Sequence, residues 1–395
     1  MEHSDKFIKI IKNNANANIH GKMALSGFAI VLLSTTTILQ SWAQEAVPLI
    51  PAEQTAVYIN DAEQQVPHFS WGDPILEGTF TSRDMSGIPM ERPAQFGTRE
   101  VLTSQEFRER VAAGPGGIAA LRAGEEFEGE TRLQLSALDS SEVGTRTFSY
   151  TSYIIEPASG QYPALTEEGI RRQNETSRGQ ANGPFFTTED FSYYDRCITR
   201  GITGSILPSL YGDAMRIVQS PTTVAITYEM LHDTRIIYLD DRPFPAPEIK
   251  QYMGVSRGHF EGDTLIVETR NLTDKIAHGR LIHSADAILT ERITRVDPNM
   301  IDYRVTIDAP RTFESPWTFR VMLTTQPDYE VLEYSCHEGN FFVANALRAE
   351  KRYQESVAQA RASGAPIPER NISDGGLEIY QAPSSAEAVD INSGQ

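Results

Sequence analysis

From about Ile217 the chain alternates apolar and polar residues in short runs: "TTVAITYEM", "RIIYLDD", "AILTERITRV", "IDYRVTIDA", "WTFRVML" and "YEVLEYSC". In "TTVAITYEM" the set Val224, Ile226, Tyr228 and Met230 is apolar, while Thr223, Ala225, Thr227 and Glu229 make the opposite face. A period of two marks half-buried strands. Asp, Gly, Pro and Asn turns separate them, as in "LHDT", "EGDT" and "DPNM". No helical pattern intervenes to make the crossovers of a parallel sheet, so an antiparallel meander over about 217–336 is expected. Such a meander must manage two edges, and closure into a barrel does so most economically, with a two-layer β-sandwich as the alternative. The expected fold class is therefore mainly β with accessory helices (α+β), with barrel-like closure.

Upstream, "LEGTFTSRD" reads as a strand followed by the turn-rich "MSGIPMERPAQFG". Thr103 and Glu106 form a capping-box pattern ahead of "EFRERVAAG", which ends at Gly114. A second helical stretch, "TEEGIRRQNETSRG", starts from Thr166 and stops near Gly179, and "TRLQLSAL" and "RTFSYTSYIIEP" between the two read as strands. A last helical pattern covers about 345–363, positioned to pack across a barrel mouth or sheet face. Residues 44–75 carry Pro and acidic punctuation and read as a linker or surface strap; 76–363 form a single β-rich domain; 364–395 are polar and rich in Pro, Ser and Gly, the composition of a disordered tail.

The first 43 residues change the picture. Lys6, Lys9, Lys12 and Lys22 precede the apolar stretch "ALSGFAIVLLSTTTILQSWA", with Ser41 and Ala43 at the cleavage-determining positions. This reads as a signal peptide cleaved after Ala43, which would make the protein periplasmic or secreted; an uncleaved anchor is the alternative. The leader holds four Lys against Glu2 and Asp5, so removing +4 and -2 takes the formal charge from -18 to -20. That surface repels phosphate backbones and anionic lipid, which disfavours nucleic acid and, after cleavage, membranes as partners.

The only cysteines are Cys197 in "DRCITRG" and Cys336 in "EYSCHEGNFF". In an oxidising compartment an isolated pair reads first as a disulfide. Two alternatives stand beside it. Cys336 and His337 as zinc ligands with Glu338 as base would need a strand that has ended, and no metal-ligand spacing supports them. A cysteine nucleophile would need a free thiolate. No metal is therefore expected, and no cofactor, since neither a phosphate loop nor a dinucleotide fingerprint occurs; "RGITGSILPS" lacks the closing Gly of a nucleophile elbow.

Period two also selects acid and base candidates. Glu268 falls in register with Ile266, and Glu291 lies between Leu289 and Ile293, so both carboxylates are expected to be buried, where a raised pKa suits proton transfer. The competing reading pairs them with Arg for structure alone. His232 and Asp233 sit on a hairpin tip and complete the catalytic candidates, with Arg235, Asp240, His337 and Glu338 as substrate-binding ones; the competing reading of the tip is a plain polar turn. His259, His278 and His283 add imidazoles without ligand-like regularity.

Taken together, "MERPAQFGTREVLTSQEF", "YPALTEEG", "DRCITRG", "YEMLHDTRIIYLDDRP", "SRGHFEGDTLIVETRNL", "ERITRVD" and "EYSCHEGNFF" resemble a broad group of uncharacterised exported bacterial proteins, over roughly residues 78–350. The resemblance implies one shared unit spanning the helical and β parts, and supplies no catalytic residue. The functional expectation is a barrel cavity for a small organic or glycan ligand, serving cofactor-independent acid/base catalysis (hydrolase, lyase or isomerase). A non-catalytic periplasmic binding protein and an envelope-associated partner-binding protein are the alternatives. Oligomeric state is not legible.

Overall fold

The computed structural model describes residues 66–113, 148–176, 184–209, 211–274 and 284–368. The segments read as a signal peptide and, up to residue 65, as a strap, the expected strand "TRLQLSAL", the expected helix ends at Gly114 and Gly179, His278, His283 and the residues beyond 368 lie outside them. Ten strands form one sheet: β1 (Gly78–Thr81), β2 (Ile154–Glu156), β3 (Ala214–Ser220), β4 (Thr223–Tyr228), β5 (Thr234–Tyr238), β6 (Val255–Glu261), β7 (Thr264–Arg270), β8 (Ile288–Asp297), β9 (Met300–Asp308) and β10 (Trp317–Thr325). The order is β1-β3-β4-β5-β6-β7-β8-β9-β10, and β1 pairs again with β10, closing a nine-stranded barrel. One free stretch of β10 is left beside β1, and the short β2 covers it through Thr318 and Phe319. The expected barrel is thus present. The strand that seals it comes from far upstream of the meander.

Alternation along the strands sorts the side chains. Val224, Ile226 and Tyr228 of β4, Leu265 and Val267 of β7, and Val305 and Ile307 of β9 point inward and are buried, while the residues between them face out. Phe80 of β1, Trp317, Phe319 and Val321 of β10 have no exposed surface at all. A barrel of this strand number has an interior that side chains can fill. Here they do.

The meander is not wholly antiparallel. β5 and β6 pair in parallel through Ile237–Ser256 and Tyr238–Arg257, a correction to the antiparallel expectation. Their connection, 239–254, contains "DRPFPAPEIKQYMG" and no helix; prolines lack the N–H that a helix or inner strand needs. Its carbonyls are satisfied instead by side chains: Asn271 Nδ2 donates to Ala246 and Ile249 at 2.9 and 3.0 Å, and Arg257 to Arg242 and Pro243. The return into β6 runs so close to β7 that a Cβ on Gly254 would stand 2.6 Å from the Arg270 carbonyl, and Gly254 also has φ +63°. Only glycine fits there.

Among the described residues four helices accompany the barrel: α1 (Ser104–Ala113), α2 (Glu167–Thr176), α3 (Gly201–Ile206) and α4 (Phe342–Ser363). The Thr103–Glu106 box forms as read, with Thr103 N–H donating to Glu106 at 2.8 Å and Glu106 N–H to Thr103 Oγ1 at 3.3 Å. Thr166 caps α2 through Gly169 N–H at 3.0 Å. α4 begins three residues earlier than its sequence pattern, because Phe342, Val343 and Leu347 pack with Ala346 against Phe185 and Phe191. It ends at Gly364 in the left-handed region. "RGITGSILPS" contains the buried helix α3. One expectation fails here: "YEVLEYSC" forms no strand, since the sheet ends at Thr325 and 326–341 are irregular.

Candidate functional site

Two groups of ionisable side chains matter, one inside the barrel and one at its end. Inside, Glu291 of β8 is fully buried, as expected. Arg235 reaches it from β5, three strands away in the sheet order, with Nη1 and Nη2 donating to Oε2 and Oε1 at 2.6 and 2.8 Å. Nη2 also donates to Tyr303 Oη at 2.9 Å, and Tyr303 donates in turn to Glu291. Burial opposes the Arg235 charge, but Glu291 and the neighbouring phenols outweigh it and hold the guanidinium well above its usual range. Burial pushes Tyr228, in the same group, up to about 12.

This arrangement is a strut. A fork-to-fork pair satisfies both carboxylate oxygens, and the apolar side chains around it, Ile226, Ile237, Val267, Ile293 and Val305, have no exposed surface. Glu291 itself has no exposed surface, so its carboxylate is turned to Arg235 and Tyr303 rather than to solvent. Arg235, expected to bind substrate, is the partner of the expected catalytic acid.

Glu268 was expected to be buried in the same interior. It lies on the outer face of β7, opposite Arg257 and Thr290, and pairs at 2.7 Å with Arg270. Ile266 shares that outer face, so register with an apolar neighbour did not mean an inward position. Asp240 is exposed and held by Arg242 at 2.6 Å, which lowers its pKa. Arg242 in turn lies 3.8 Å over the Tyr238 ring, on the barrel wall. His337 and Glu338 are exposed in the turn after Cys336.

The second group sits where β1, β4 and β10 end and β3 and β5 begin, which the registers Thr81–Ala214, Met215–Tyr228, Thr227–Thr234 and Thr81–Thr324 bring to one end of the barrel. The hairpin tip between β4 and β5 holds Leu231 and His232 in the left-handed region, at φ 68° and 55°. Such backbone is costly for residues with a side chain, and it sets the imidazole toward the 326–341 segment. There His232 Nε2 accepts the Tyr334 N–H at 3.0 Å, which requires that nitrogen to be unprotonated. Next to it, Asp233 is half-buried and accepts from Thr199 Oγ1. Burial raises the Asp233 pKa, and the Thr199 bond opposes the rise.

The expected disulfide is formed. Cys197 and Cys336 are joined with Cα atoms 5.7 Å apart, across a sequence separation of 139. The bridge ties 192–200 to 334–340, and Asn340 Nδ2 adds a bond to the Asp195 carbonyl at 2.9 Å. Both strapped segments carry aromatic residues. Tyr334 stacks with Tyr211, ring centroids 6.0 Å apart and hydroxyls 3.4 Å apart. The Tyr194 phenol lies against both, and Arg200 lies 5.7 Å from the Tyr194 ring centroid. Burial, and then the neighbouring phenols, push Tyr194 and Tyr334 up, so both remain protonated donors at neutral pH. Behind them Arg83 and Asp213, both buried, pair at 2.9 Å. Tyr329 Oη donates to Glu229 at 2.9 Å.

The structure therefore places the exposed His232 and the half-buried Asp233 side by side in the chain but on separate partners at the barrel end, Glu268, Asp240, His337 and Glu338 on solvated surface, and Arg235 and Glu291 in the barrel interior. Tyr194, Arg200, Tyr211 and Tyr334 were missed. A signal for three of them exists in the sequence: Tyr194 and Arg200 lie three residues either side of Cys197, and Tyr334 two before Cys336, so pairing the cysteines brings them together. Among the described residues no group of three or more His, Cys, Asp or Glu is arranged to hold a metal ion, and no helix is long and apolar enough to cross a membrane. In comparisons with known proteins, no family model, no curated protein and no solved structure matches this chain.

Proposed function

We propose that the protein binds a small organic molecule or glycan unit at the barrel end bounded by Tyr194, Tyr211, Tyr334, Arg200 and His232. The observation that carries this reading is the convergence of three half-buried phenols on a buried arginine, from three separate parts of the chain, two of them joined by the disulfide. Aromatic faces with hydroxyl donors suit the flat, partly polar surface of a sugar or an aromatic ring. A cystine bridge fits an oxidising compartment, in keeping with export.

A catalytic version of the same reading rests on Asp233. Its proton affinity is raised by burial, and it stands beside His232, a pair of groups able to accept and return a proton without a cofactor. Hydrolysis, elimination and isomerisation all fit that chemistry.

Saturation-transfer NMR with a fragment set of phenols, sugars, small acids and amides tests the location. Fragments that bind the native protein should be lost on Tyr334→Ala and retained on Glu268→Gln. Retention of every fragment by a folded Tyr334→Ala protein would remove the proposed site.

A further inference from the structure

Resting on that reading, we infer that the ligand carries an anionic group, in its simplest form a carboxylate, and that Arg200 is the residue that receives it. Arg200 is 5% exposed. Among the described residues its one side-chain hydrogen bond is a weak one, from Nη1 to the Met230 thioether at 3.3 Å, and its guanidinium lies 5.7 Å from the Tyr194 ring centroid. No carboxylate among the described residues forms an ion pair with it. The nearest acid with which it interacts, Asp213, is committed elsewhere: Oδ2 to Arg83 and Oδ1 to the Ser209 N–H at 2.7 Å.

A guanidinium that is buried without an anion pays a desolvation cost that a paired one recovers. Among the described residues the other buried arginines have stronger acceptors. Arg83 has Asp213, Arg235 has Glu291, Arg172 has Glu168 and Asp274, and Arg92, without an anion, donates to Thr151 Oγ1 and to the Ala158 carbonyl at 2.6 Å. Arg200 has sulfur and phenols as neighbours: Tyr194, Tyr211 and Tyr334 all lie within electrostatic reach of it, yet none of the three hydroxyls accepts a hydrogen bond from it. A planar carboxylate offers two charged acceptors to the guanidinium fork and can also accept from the adjacent hydroxyls.

Among the described residues the other charged groups at this end have other partners: Glu229 Oε1 accepts from Tyr329, Asp233 from Thr199, Asp84 from Thr324 and His232 from the Tyr334 N–H, and none of these carboxylates forms an ion pair with Arg200. The acidic surface of the chain, formally -18, makes a single buried cation a selective element: long-range attraction does not gather anions, and only one that fits the end of the barrel gains the contact.

Calorimetric titration of the full-length purified protein with sodium benzoate, sodium glucuronate, inorganic phosphate and sulfate, against the neutral benzamide and methyl glucoside, separates the possibilities. Benzoate or glucuronate should bind at least tenfold more tightly than its neutral counterpart. Arg200→Gln should abolish that preference, and Arg200→Lys, which keeps the charge but not the fork, should retain part of it. Tyr211→Phe, which keeps the packing, should weaken the anion several-fold and serves if Arg200→Gln does not fold. Tighter binding of phosphate or sulfate than of either carboxylate would keep the anion site and reject the carboxylate. Equal binding of neutral and charged partners, with loss on Tyr334→Ala, would overturn the anion inference and leave the barrel-end reading standing. Absence of binding by all six probes would overturn both.

Discussion

Two arginine clusters lie a few residues from the ends of the same strands, and they are built oppositely. In the lumen Arg235 has its counter-ion: two bonds to Glu291 and one to Tyr303, with Nε left without a hydrogen bond. At the barrel end Arg200 is equally buried, yet its neighbours are donors and a thioether. A closed network rigidifies; an open one waits for an acceptor. The contrast teaches that burial of a charged group identifies a site only when its partners have been counted.

The largest effect expected from that contrast is on stability. Glu291→Gln leaves the Arg235 charge buried without its counter-ion and should cost about 3–5 kcal/mol in denaturant unfolding, as measured for broken buried pairs elsewhere. A loss under 1 kcal/mol would show that the lumen is wetter or more plastic than its packing indicates. Cutting the strap comes next. Cys197→Ser with Cys336→Ser should cost roughly 2–4 kcal/mol, and should weaken fragment binding as well, because Tyr334 is then held mainly by the His232 bond. Glu291→Gln in a still-folded protein should leave that binding intact.

Smaller effects sharpen the comparison. Asp233 has a folded pKa raised above its unfolded value, so its contribution to stability is full below about 3.8 and is lost as pH rises through the folded value. Asp233→Asn should therefore raise the melting temperature at neutral pH, with the gain fading in acid; a gain that is largest in acid would contradict the raised pKa. Glu268→Gln, on the solvated wall, should change stability by about 0.5 kcal/mol or less. Glu106 behaves in the reverse sense: Arg99 and the Thr103 cap hold its carboxyl down to about 2, so the cap survives well below pH 4.5 and is lost as pH falls through about 2, seen as fraying of α1 in hydrogen exchange.

How much of this was legible depends on the range of the interaction. Strand alternation, the turns, the Thr103 capping box and the cystine pair are short-range or combinatorially unique signals, and they read correctly. The face to which Glu268 belongs was not legible, because Ile266 and Val267 are both apolar and β7 offers two plausible registers. The parallel β5–β6 step was hidden for a physical reason: its crossover is held by Asn271 and Arg257, supplied from outside the crossover itself, and carries no helical pattern. "YEVLEYSC" alternates like a strand, but no free edge remains once β1 has paired with the end of β10. Tyr211 left no sequence signal at all; it joins Tyr334 only through the closure of the barrel.

The central claim is a division of labour between lumen and barrel end, and one paired measurement tests it. For a fragment that binds the native protein, the dissociation constant and the unfolding free energy are determined side by side for Glu291→Gln and Tyr334→Phe. A crossed pattern is predicted: the lumen variant loses stability and keeps its affinity, and the tyrosine variant loses affinity and keeps its stability. If Glu291→Gln abolished binding while unfolding like the native protein, the ligand would belong in the lumen and the account would be wrong.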